Sequence, residues 1–166
     1  QPMHSWRVLI LPFMEQQALH QRYNFNEPWD SPQNQLVTST VVPAYKCPSA
    51  PGQPTETNYM VVTGPGTLFE GAEGCSIAKI TDGTSNTILV VEVGGTGVNW
   101  AEPRDLDASK FSPPFSPPRP DAAGSYHPGG LNVALCDGST RFLSNSIDPA
   151  TVQGLTTRAG DERIQP

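Results

Sequence analysis

The chain has 166 residues, a net charge of −6 and only 16% charged side chains. Its 10 lysines and arginines are scattered, which excludes the basic footprint of a nucleic-acid binder and gives no support for docking on anionic lipid. The length suits one domain with a real core, so 1–166 is read as a single unit.

In chain order, Pro12 at a first helical position and Glu15 in the first turn predict a short helix over Leu11–Tyr23. Leu11, Met14 and Ala18 would form one stripe, with Leu19 and Tyr23 spaced i, i+4. Asn24–Gln35 reads as a loop broken by Pro28 and Pro32. Leu36–Tyr45 has strand composition, with Pro43 placing it at an edge. Asn58–Thr63 predicts a second strand, turned by Gly64-Pro65-Gly66. Ile77–Ile80 suits a short strand before the Asp82-Gly83 turn. Asn86–Val93 is the most apolar strand, and its run of Ile88, Leu89, Val90 and Val91 implies burial on both faces. Trp100–Asp107 reads as a polar loop or a short helical turn. There is no internal repeat.

Prolines number 18, about twice ordinary usage. Five of them crowd residues 113–120, which therefore cannot form regular helix or central strand. That segment reads as a semi-rigid surface loop of polyproline character, a shape that could also serve as a proline-rich ligand. The stretch from Ser125 to Phe142 predicts a hairpin. Leu131, Val133 and Leu135 alternate with Asn132, Ala134 and Cys136, and Asp137-Gly138 supplies the two positive-φ positions of a type I′ turn. A two-residue turn there would pair Leu135 with Thr140 and Val133 with Phe142 on the apolar face. The polar tail 154–166 is expected to fray or pair weakly.

Cys47, Cys75 and Cys136 are odd in number and contain no C-x-x-C pair. One disulfide with one free thiol, or none, is compatible with them, as is a role as small buried hydrophobes. The longest apolar run, Val8–Met14, contains Pro12 and is too short to span a bilayer. The low charge and the many Gly, Pro, Ser, Thr and Asn residues suit an extracytoplasmic protein.

His127 followed nine residues later by Asp137-Gly138 resembles the C-terminal signature of a large bacterial family of unknown function, abundant in planctomycetes. Its members begin with a prepilin-type cleavage and methylation segment. Residues 5–16 (SWRVLILPFMEQ), 27–32 (EPWDSP), 46–49 (KCPS) and 80–87 (ITDGTSNT) resemble the family too, so the likeness runs through nearly the whole chain. The resemblance implies a pilin-head-like α+β fold: a short N-terminal helix followed by a mainly antiparallel sheet with long Pro-rich loops. It also implies that a hydrophobic N-terminal helix, missing here, anchors the full-length protein in the inner membrane and packs in a filament. The head would then sit in the periplasm or at the cell surface. Its partners would be other pilin-like subunits or secreted cargo, as in a type II secretion pseudopilus or a type IV pilus-like system.

Several residues could carry chemistry instead. Glu92 lies within the most apolar strand, where a carboxylate needs a partner or an open edge. It would point to solvent, pair with arginine, or act as a metal ligand or general base. Ser85, His127 and Asp137 could be written as a triad, but Ser85 lacks a Gly-x-Ser-x-Gly elbow and fits a turn bonded to local backbone. His4, His20 and His127 show no zinc spacing. The resemblance brings calcium to mind, since some secretion pseudopilin heads hold it in a loop of the C-terminal sheet. Asp137 and Asp148, with Asp82 and Asp121 as further candidates, would supply the hard oxygen ligands, although no EF-hand spacing exists. Glu92, Glu102, Asp105 and Asp107 are available for glycoside hydrolysis, but nothing in the sequence pairs them. Trp6, Trp29 and Trp100 could stack on carbohydrate or simply anchor core and loops.

His127 would hydrogen-bond Asp137 or a nearby carbonyl. Six strand residues separate the two, however, or about 20 Å, which favours independent structural roles. The reading that follows is a non-enzymatic assembly subunit with no cofactor except an optional calcium. The alternative is a secreted hydrolase or a carbohydrate- or ligand-binding domain on the same fold.

Overall fold

In the computed structural model the described residues are 3–71, 74–119 and 122–160. Pro120, Asp121 and the last six positions of the predicted tail lie outside them. The fold is α+β, and its backbone divides into two compact units. The first comprises residues 1–57 and 97–104, the second 58–96 and 105–166. Among the described residues no helix is long and apolar enough to cross a membrane.

The first unit is helical. Helix α1 (Trp6–Leu9) starts where the Ser5 hydroxyl accepts from the Arg7 backbone N–H, a Ser N-cap that satisfies one orphan donor. The expected single helix over Leu11–Tyr23 is two pieces. A 3₁₀ turn spans Leu11–Met14, and helix α2 spans Gln17–Arg22. The break is Glu15, held left-handed at φ 59° while its N–H closes on the Leu11 carbonyl. The interruption rotates the stripe, so Leu11 and Leu19 are buried while Ala18 faces solvent.

The strand expected over Leu36–Tyr45 is also corrected. Helix α3 (Pro32–Thr38) and a 3₁₀ turn (Pro43–Tyr45) occupy it, and α3 takes in the end of the predicted Asn24–Gln35 loop. The Ser31 hydroxyl caps Asn34 N–H at 3.2 Å and Pro32 stands in the first turn, and this start signal outweighs the β-branched composition that follows. Buried Asn34 ties down the preceding loop, its amide donating to the carbonyls of Asn24, Glu27 and Pro28. The core of this unit gathers Val8, Leu11, Leu19, Val37, Tyr45 and Trp100, with Tyr45 and Trp100 stacked at 5.9 Å.

Through that core runs Arg7, whose side chain is fully buried. Its guanidinium donates to the carbonyls of Trp100, Glu102 and Arg104, each at 2.9 Å. The Tyr45 hydroxyl donates to the Arg7 carbonyl at 2.6 Å, and burial pushes that phenol's pKa upward. The planar fork of arginine, with several donors in fixed directions, is the side chain suited to holding three carbonyls of one segment.

The second unit carries the sheet. Strands β1 (Tyr59–Met60), β3 (Ile88–Glu92), β5 (Gly130–Leu135) and β6 (Thr140–Ser144) form an antiparallel sheet in the order β1-β3-β5-β6. Strands β2 (Val62–Thr63) and β4 (Leu106–Asp107) make a small parallel pair. The predicted strand Asn58–Thr63 is thus shared between two sheets. The change of partner falls at Val61, whose N–H donates to the Asp105 carboxylate and whose carbonyl accepts from Leu106. Ile77–Lys79, expected as a strand, is a 3₁₀ turn with Ile77 75% exposed. The predicted Asn86–Val93 strand is present over Ile88–Glu92, with an irregularity between Ile88 and Val90 that lets Leu89 reach the surface.

The hairpin forms, but in a register one residue from the expected one. Asn132 faces Phe142 and Val133 faces Arg141. The loop has three residues rather than two. Gly138 N–H closes on the Leu135 carbonyl, Leu135 N–H donates to the Ser139 carbonyl, and only Gly138 has positive φ, at 86°. A tight turn followed by a left-handed glycine is the next commonest hairpin connection after the two-residue one. The extra residue moves every side chain of β6 to the opposite face. Leu143 is therefore buried beside Leu131, and Phe142 is 49% exposed. At the other end of β5, Gly130 is required because a Cβ there would lie 2.0 Å from the Leu143 carbonyl oxygen.

A Cβ at Gly138, by contrast, would meet nothing within 4 Å. The cost of Gly138→Ala is then purely that of the left-handed backbone, about 1 kcal/mol. A thermal melt should show that loss, and Gly138→Asn should recover much of it.

The Pro-rich segment is pinned rather than free. Phe115 is fully buried, and the Asn145 side chain accepts from the N–H groups of Phe115 and Ser116 while donating to the Ser116 carbonyl. Residues 154–156 of the tail expected to fray belong to helix α4 (Pro149–Thr156), capped by the Asp148 carboxylate and seated by Val152 and Leu155. Beyond it Arg158 pairs with Glu70 at 2.7 Å and its N–H donates to the Gly66 carbonyl.

Candidate functional site: a buried carboxylate at the end of the central strand

Glu92 ends β3, opposite Tyr59 of β1, and is only 4% exposed. A carboxylate this deep must be fully bonded to keep its charge. Its Oε2 accepts from the Asn132 backbone N–H at 3.1 Å and from the Asn132 side-chain amide at 3.3 Å. Its Oε1 lies 3.2 Å from His127 Nε2. Asn132 comes from β5, the strand next to β3, and His127 from the turn leading into β5, where its N–H donates to the Ser125 hydroxyl. About one third of the His127 side chain is exposed. A recess of about 320 Å³ opens against Glu92, bordered by Tyr59, Val90, Asn132, Ala134 and Thr140.

The other residues singled out by sequence are elsewhere. Asp137 is exposed at the far turn of the hairpin, where Oδ1 accepts from the Ser139 hydroxyl at 2.7 Å and from Ser139 N–H at 2.9 Å. Those two donors hold its carboxyl below the usual aspartate range. Ser85 is exposed in the turn that touches this end of the hairpin, since Asp137 N–H donates to the Thr84 carbonyl. The length of β5 separates that end from His127, so Ser85, His127 and Asp137 do not form a triad. Within the turn, the Thr87 hydroxyl donates to the Gly83 carbonyl and the Asn86 amide to the Asp82 carbonyl.

Of the aspartates considered for calcium, Asp121 lies outside the described residues, and Asp137, Asp148 and Asp82 each serve local structure. Asp148 caps α4, and Asp82 accepts from Gly160 N–H at 2.7 Å. Among the described residues neither Asp137 nor Asp148 joins a cluster of three or more His, Cys, Asp or Glu side chains close enough to share an ion. Trp100 is a core residue and Trp29 packs against the same cluster. His4 bonds the Tyr23 hydroxyl and the Phe25 carbonyl through its two ring nitrogens.

Sequence reasoning isolated Glu92 and His127 separately and rightly set His127 apart from Asp137, but it did not pair His127 with Glu92, and it missed Asn132 altogether. The signal available was the apolar strand around Glu92, which demanded a donor from a neighbouring strand.

A family model described as protein of unknown function (DUF1559) matches residues 1–114 and 95–150, the greater part of the chain. The chain belongs to the DUF1559 family. No curated protein and no solved structure matches it. Within this DUF1559 chain, the matched residues include Glu92, His127, Asn132 and Asp137.

Proposed function

We propose that this chain is the head of a non-enzymatic, pilin-like assembly subunit acting in the periplasm or at the cell surface. The full-length form would be held in the inner membrane by the N-terminal helix that the prepilin resemblance implies. The observation that supports this reading most is the state of Glu92. Among the described residues of the sheet, Glu92 is the buried carboxylate, and it is occupied by donors from its own fold. Ser85 and Asp137 stand at the far end of the hairpin in turn structure. Among the described residues no buried side-chain nitrogen or oxygen lacks a partner, which is what a scaffold needs and what a reactive site often lacks. The head would offer neighbours or cargo its loop surfaces of low charge.

The recess beside Glu92 favours one second reading, a secreted domain that binds a small ligand or hydrolyses it with Glu92 as base. One experiment separates the two. Filaments sheared from cells expressing the full-length protein are purified, and peptides of this chain are quantified against membrane and soluble fractions. Enrichment in the filaments is expected. Recovery only as a free, processed head would overturn the assembly reading and move effort to ligand screens with variants of Glu92 and His127.

A further inference from the structure

Away from Glu92, a second recess of about 150 Å³ lies in the sheet unit, lined by Leu68, Phe69, Ile77, Ile80 and Leu89 together with Cys75 and Cys136. The two thiols are 61 positions apart in sequence yet face one small apolar space, and both are partly exposed. Cys136 is the first residue of the hairpin loop and is fixed there by its N–H, which donates to the Thr87 carbonyl at 3.0 Å. Cys75 lies outside any helix or strand. Cys47 is buried in the other unit. We propose that Cys75 and Cys136 are a disulfide-forming pair that closes on exposure to a small-molecule disulfide and clips the 74–80 segment onto the hairpin loop.

The chemistry balances as two exchanges. The Cys75 thiolate attacks one sulfur of oxidised glutathione, forming a mixed disulfide and releasing one glutathione thiolate. The Cys136 thiolate then attacks the Cys75 sulfur and expels the second glutathione, so two protein thiols are oxidised as one glutathione disulfide is reduced. Burial pushes the Cys136 pKa up, with the charges of Asp137 and Cys75 adding to the effect. A thiol that is harder to ionise attacks more slowly, so Cys136 enters second. Disulfide geometry is demanding, with Cα atoms about 4.4–6.8 Å apart. The irregular backbone around Cys75 is the side able to adjust. Such a clip suits an oxidising compartment, but its formation in the purified chain does not depend on filament assembly.

The test uses the purified chain in a buffer of oxidised and reduced glutathione. After alkylation of free thiols, the chain is cut on the carboxyl side of glutamate. Cleavage at Glu56 and Glu70 separates Cys47 from Cys75. The expected product is one cross-linked pair containing Cys75 and Cys136, with Cys47 alkylated and a Tm raised by about 5 °C or more over the reduced chain. Cys75→Ser and Cys136→Ser should each retain a stable mixed disulfide with glutathione and show no such rise. Mixed disulfides that never close in the wild-type chain would overturn the proposal, as would a cross-link through Cys47. A bridge between two chains would do the same. Folding of the serine variants is checked by circular dichroism, and the wild-type peptide map decides the matter even if one of them fails to fold.

Discussion

Arg7→Met should destabilise the helical unit by about 3–5 kcal/mol. The side chain is fully buried and its guanidinium serves three carbonyls of the Trp100–Arg104 segment. Methionine has similar length but no donor, so those carbonyls lose their partners at once, and an unsatisfied buried polar group costs about 1–3 kcal/mol. The same segment carries Trp100, stacked on Tyr45, so its loosening also disturbs the core. Arg7→Lys should recover only part of the loss, because an ammonium cannot present a fork to three acceptors. Urea denaturation followed by Trp fluorescence measures both variants. A midpoint for Arg7→Met within about 0.5 kcal/mol of wild type would show that the fork is not what holds this segment.

Glu92→Leu should cost the sheet unit about 2–4 kcal/mol, while Glu92→Gln costs about 1 kcal/mol or less. Leucine removes the acceptor from the Asn132 N–H and amide and takes away the carboxylate oxygen beside His127 Nε2. Glutamine keeps one oxygen and so preserves part of the bonding to Asn132. The ranking also bears on function. Residues retained for chemistry at the expense of stability often leave a protein unchanged or more stable when replaced. If Glu92→Leu proves as stable as wild type by denaturant titration, the closed arrangement is not structural. The recess beside Glu92 then becomes the first place to look for a ligand.

How much of this could be read in advance differs between the two units. Ile88–Glu92 and the hairpin strands announced themselves, because long apolar or alternating runs define strands whatever surrounds them. The helical unit was harder. Leu36–Tyr45 carries β-branched residues, yet Ser31-Pro32 started a helix upstream and the chain followed it. Glu15 broke a helix at a residue type that gives no warning of positive φ. Helix α4 was hidden by polar composition, although Asp148-Pro149 with Val152 and Leu155 i, i+3 apart was the visible trace of it. For the site, the need of Glu92 for a donor was legible. The identity of the donors was not, since Asn132 and His127 reach it only through strand pairing and an entry turn that no local pattern specifies.

The three-residue loop at the tip of the hairpin sets something like a reading frame for the strand that follows. Residues 136–138 number three, and the parity of that number alone decides that Leu143 is read inward and Phe142 outward. Deleting any one of them would be a frameshift in space: the composition of β6 would be unchanged, yet its solvent-facing aromatic would be delivered to the interior and its buried leucine to water. Only substitutions that keep the loop's length, or changes of two residues at a time, preserve which side of β6 faces inward.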